Sequence, residues 1–121
     1  MTKSRILSFK YAWQGIVTAL KDEPNLKVHF LIAILVTLLG NYLHITQTEW
    51  LILILVMGLV IALELTNTAI EEVVNVFAPD MHPSAKKAKD VAAGAVLVAS
   101  VTAILIGAII FFPYFYSLIL I

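Results

Sequence analysis

The chain has 121 residues, of which 61% are hydrophobic and 13% charged, and its mean hydropathy of +0.98 is too high for a soluble domain of this size, so it reads as an integral membrane protein. Eight basic residues balance eight acidic ones, which argues against nucleic acid as a partner. No cysteine is present, and that removes disulfides, thiolate zinc sites and a cysteine nucleophile.

Residues 1–22 mix Ile6, Leu7, Phe9, Tyr11, Trp13, Ile16, Val17 and Leu20 with Lys3, Arg5, Lys10 and Gln14. This is the pattern of a basic amphipathic helix, suited either to the plane of an anionic membrane surface or to packing against spanning helices. The first apolar run starts only near residue 26, and no small-residue cleavage site ends it, so a removable signal peptide is not expected. Pro24 follows a polar break at Lys21, Asp22 and Glu23 and suits a first helical turn, so a new helix begins there.

Three crossings follow, predicted over 26–44, 50–77 and 84–112. Between the first two lies a short polar turn, with Thr48 as the expected N-cap. Pro79 and Pro83 break the chain before the third, which carries Lys86, Lys87, Lys89 and Asp90 in its opening turns and is then uncharged from Val91 onward. Its Ala92, Ala93, Gly94, Ala95, Ala99 and Ser100 are small enough for close helix approach, and Pro113 is expected to end or kink it. The fold class is therefore an all-α membrane protein with an N-terminal surface helix and three spanning helices, forming a single domain. Lys and Arg flank the first span and the 78–90 loop but are absent from 41–49. That asymmetry places the N-terminus and the 78–90 loop in the cytoplasm and the C-terminus outside.

The most informative stretch is the polar end of the second span. Fourteen uncharged residues, 50–63, are followed by Glu64, Asn67, Thr68, Glu71 and Asn75, which share a stripe roughly 100° wide on a helix. Glu72 points away from it. A carboxylate at the lipid boundary costs about 2–3 kcal/mol unless something offsets it. With Glu23, Asp80, Lys89 and Asp90 gathered at the same interface, the set fits a hard cation and a polyphosphate. Glu23 and Glu71 suit Mg²⁺, Lys89 suits phosphate, Asn67 a phosphate or hydroxyl, and Glu64 is placed to take a proton from an alcohol arriving through the bilayer. Spacing alone leaves a second reading nearly level with an enzyme, a small oligomer that conducts ions or couples to protons. His29, His44, Trp13 and Trp50 read as interfacial residues, Lys86 and Lys87 as topology determinants, and Asp90 as a possible surface partner of Lys86.

The pattern Glu64-x-x-Asn67-Thr68-Ala69-Ile70-Glu71-x-x-Val74, then His82 and Lys89-Asp90, with Tyr11-x-Trp13-x-Gly15 and Glu23 upstream, resembles the prokaryotic diacylglycerol kinase family of small trimeric membrane lipid kinases. Glu23-x-Asn25-x-x-x-His29 and the run at 88–97 resemble its Gram-positive undecaprenol kinase branch. The resemblance implies Mg²⁺-dependent phosphorylation of a lipid hydroxyl by ATP, in a bacterial cell-membrane homotrimer with sites between subunits at the cytoplasmic face. The lipid that the resemblance implies is undecaprenol, with diacylglycerol as the alternative. It further implies Glu64 as proton acceptor, Asn67 at the γ-phosphate, Glu23 and Glu71 on the metal, and nucleotide contacts from Tyr11, Asp80, Met81, His82, Lys89 and Asp90. No P-loop is expected, and the five glycines form no Gly-x-x-x-x-Gly-Lys pattern. Asn75 stands where the family usually carries Asp, which removes a charge but keeps a hydrogen-bonding group.

Overall fold

The computed structural model describes residues 2–80 and 82–120, and within them the chain forms four α-helices: α1 (Lys3–Asp22), α2 (Pro24–Leu43), α3 (Gln47–Phe77) and α4 (Pro83–Ile119). The last three are long and apolar enough to cross a membrane. Pro24 occupies the first turn of α2, so a single extended residue, Glu23, separates α1 from α2. At the other end of α2, His44 adopts the left-handed conformation, with φ 53° and ψ 50°, and turns the chain towards α3.

Thr46, not Thr48, caps α3. Its hydroxyl accepts from the Glu49 backbone N–H at 3.2 Å, while the Glu49 carboxylate accepts from the Thr46 N–H at 3.0 Å. This reciprocal pair needs a Glu three residues after the cap, a spacing that Thr46 has and Thr48 lacks. Pro113 does not end α4, which continues to Ile119. In an apolar surrounding, a helix that stopped at Pro113 would leave more backbone groups unpaired than the single N–H a proline lacks.

α3 and α4 form the most extensive helix pair, α2 lies against α3, and the C-terminal half of α1 rests on α2 and α3. The core sits around the α2–α3 turn and the C-terminal part of α4, where Ile45, Leu53, Ile110 and Phe111 are buried together with Trp50, Met57 and Tyr114 around them. Gly40 is needed there, since a Cβ at that position would meet the Trp50 ring at 2.8 Å. The phenol of Tyr114 donates to Glu49 at 2.5 Å, tying α4 to the capped start of α3. On α4 the helix-facing positions are Ala92 and Ala99, with Gly94 and Ser100 half-buried, whereas Ala93 and Ala95 are exposed within one chain. One helix face cannot hold all six small residues.

Candidate active site

Along α3 the polar stripe is buried at its membrane end and open at its tip. Glu64 is 3% exposed and Asn67 8%, Thr68 and Glu71 are half-buried, and Asn75 and Glu72 are exposed. The Asn67 side-chain amide donates to the Glu71 carboxylate at 3.2 Å, one turn further on. That bond leaves the Asn67 Oδ1 buried without a partner, as is the Thr68 hydroxyl beside it. Three other hydroxyls in the spans are satisfied by their own helix. Thr37, Thr66 and Thr102 each donate to the carbonyl four residues earlier, at 2.7, 2.8 and 2.8 Å. Two adjacent buried acceptors left open on one stripe therefore mark a place where a ligand or water completes the bonding.

Two spaces meet this stripe, and a third lies one turn before it, against His29, Val60 and Ile61. The first, about 330 Å³ between the C-terminal end of α3 and the N-terminal end of α4, is lined by Asn75, Asp80, His82, Lys86, Lys89 and Asp90. The second, about 610 Å³ between α1 and α3, is lined by Glu23, Thr68, Glu72 and the α1 backbone around Gly15. The third is an apolar cavity of about 300 Å³ among α2, α3 and α4, running from His29 to Phe111. The stripe thus lies between an apolar cavity and an open cleft that carries two lysines and two aspartates.

Four of the residues expected at a nucleotide, Asp80, His82, Lys89 and Asp90, line the first cleft together. His82 also caps α4, its Nδ1 accepting from the Ser84 N–H at 3.1 Å. Lys89 donates to Asn75 at 3.0 Å. Lys86 pairs with Asp90 at 2.6 Å, in the charged turns that precede the apolar part of α4. Glu64 and Asn67 are the buried pair, with half-buried Glu71 beyond them, and Glu23 lines the space between α1 and α3 with Thr68. Tyr11 stands apart, 63% exposed on α1 and in neither polar cleft. Met81 lies outside the described residues.

Among the described residues no three His, Asp or Glu side chains form a closed metal cage. Mg²⁺ carried by phosphates needs only one or two carboxylates. Glu23 and Glu71, on separate elements beside the open Asn67 and Thr68 oxygens, suit that role. The residue that spacing did not single out is His29, whose Nε2 lies 3.7 Å from the Glu64 carboxylate. Its side chain projects from α2, and only the helix pairing brings it to the stripe.

The prokaryotic diacylglycerol kinase family model matches residues 10–111 of the chain. An undecaprenol kinase of Bacillus subtilis (strain 168) is 42% identical over 106 residues, covering 88% of this chain and 86% of its own length. A diacylglycerol kinase of Synechocystis is 38% identical over 114 residues, 93% of this chain and 65% of that protein. A diacylglycerol kinase of Escherichia coli (strain K12) is 28% identical over 105 residues, 87% and 86% respectively.

Proposed function

The chain belongs to the prokaryotic diacylglycerol kinase family and is a lipid kinase with ATP as phosphate donor; from that premise we propose that its acceptor is undecaprenol, phosphorylated at the cytoplasmic face of the membrane. Family membership sets aside the alternative that the chain is a non-catalytic ion- or partner-binding membrane protein. The observation that carries the proposal is a carboxylate, Glu64, 3% exposed and in contact with His29 at one end of an apolar cavity. A long hydrocarbon tail with a single terminal hydroxyl fits that juxtaposition, and the 42% identity to an undecaprenol kinase supports it.

In this reading the acceptor oxygen attacks the γ-phosphorus, the bond from that phosphorus to the β-phosphate oxygen breaks, and ADP leaves. Glu64 takes the hydroxyl proton. Asn67, fixed by Glu71, offers its free oxygen to the acceptor hydroxyl or to a water at the γ-phosphate. Lys89 neutralises phosphate charge at the lip of the cleft, and Asp80, His82 and Asp90 form its wall. Glu23 and Glu71 would hold Mg²⁺, which would screen the phosphate charges. The working unit is a homotrimer. That number rests on the resemblance to the family of small trimeric membrane lipid kinases.

Phosphate transfer from γ-labelled ATP to undecaprenol and to diacylglycerol, offered separately in mixed micelles, tests the assignment. Faster transfer to undecaprenol is expected. Faster transfer to diacylglycerol, the acceptor in the names of the Synechocystis and Escherichia coli relatives, would replace it.

A further inference from the structure

His29 belongs to two environments at once. Its imidazole lines the apolar cavity with Ile32, Val36, Val60 and Phe111, and its Nε2 faces the Glu64 carboxylate at 3.7 Å. A polar ring in such a lining costs free energy unless its donor is used, and Glu64 is the acceptor within reach. Both side chains are largely withdrawn from solvent, at 19% and 4% exposure, so their attraction is weakly screened. The distance is longer than a hydrogen bond, as catalytic contacts often are before substrate tightens them.

We propose that His29 is the positioning residue for Glu64: its Nε2–H holds one carboxylate oxygen and leaves the other to accept from the hydroxyl of a lipid whose tail occupies the cavity. The inference rests on the reading of Glu64 as proton acceptor. It identifies the α2–α3 contact as the element that aims the base at the end of the hydrocarbon space. Orientation of this kind acts on the chemical step and leaves nucleotide binding, in the cleft at the far end of the stripe, largely alone.

Steady-state kinetics of purified His29→Leu, His29→Gln and Glu64→Gln in micelles, varying Mg·ATP and lipid separately, tests it. For His29→Leu kcat is expected to fall roughly 10- to 100-fold while KM for Mg·ATP stays within about twofold. His29→Gln, which keeps an N–H at similar reach, recovers most of the loss. Parent-like kcat in His29→Leu, or a His29→Gln protein as slow as His29→Leu, overturns the positioning role. Should His29→Leu not fold, His29→Asn, too short to reach Glu64, is read in the same way. A Glu64→Gln protein with parent-like turnover would instead remove the base itself. An impaired Glu64→Gln beside an unimpaired His29→Leu would remove only the role of His29.

Discussion

Lys89 donates to the Asn75 side-chain oxygen at 3.0 Å, joining the last turns of α3 to the first turns of α4 across the open cleft. The partner is a carboxamide, so the lysine is held in place without being neutralised. At a position where the family usually carries Asp, the chain keeps the geometry of the contact and leaves a full positive charge facing the space lined by Asp80 and His82.

Lys89→Met is expected to raise KM for Mg·ATP roughly tenfold or more, the scale of one charge-assisted hydrogen bond to phosphate. Asn75→Ala removes only the anchor and is expected to raise it about two- to threefold, through the rotamer freedom the lysine regains. Initial rates at varied Mg·ATP measure both. A larger effect from Asn75→Ala than from Lys89→Met would reverse the roles given to the pair.

The two buried-stripe carboxylates are expected to fail differently. Glu64→Gln lowers kcat at least about 100-fold with little change in nucleotide KM, because it removes the proton acceptor. Glu71→Gln also lowers turnover, and in addition moves the Mg²⁺ concentration for half-maximal rate upwards. Magnesium titrations of the two variants separate them. Identical magnesium curves would withdraw the metal role from Glu71.

The stripe itself was legible because Glu64, Asn67, Thr68 and Glu71 lie on one helix, where period fixes face. The helix breaks at Glu23 and at Pro79–Pro83 were legible for a similar local reason, since proline and clustered polar residues act within a turn. His29 was not, because its meeting with Glu64 depends on how α2 and α3 slide past one another, and no local pattern encodes that register. The same holds for Tyr114 and Glu49, brought together across 65 positions. Thr46 could have been identified as the cap of α3 from the Glu three residues later. Pro113 misleads because a proline's tendency to break helices is weighed against water, and in lipid continuity of the helix prevails.

At the turn between α2 and α3, opposite substitutions are expected to have opposite signs. Gly40→Ala drives a methyl into the Trp50 ring and should destabilise by about 1–3 kcal/mol. His44→Gly relieves a left-handed non-glycine residue and should stabilise by up to about 1 kcal/mol. Thermal unfolding in detergent reads both, and a raised Tm for Gly40→Ala would contradict the close approach described here.

Orientation can be checked directly, since the natural chain has no cysteine to interfere. In intact cells a membrane-impermeant maleimide should label Gln47→Cys and spare Lys87→Cys, with Lys87→Cys labelled once the membrane is opened. The reverse pattern would invert the topology and move the nucleotide cleft away from cytoplasmic ATP.

The bond from Tyr114 to Glu49, together with the packing of Ile45, Leu53, Ile110 and Phe111, clasps the end of α4 to the start of α3, and the Lys89–Asn75 bond clasps their opposite ends. The two clasps differ in kind. The first is backed by a buried apolar cluster, whereas the second is a single exposed hydrogen bond, so separation of the pair should begin on the side of the polar cleft.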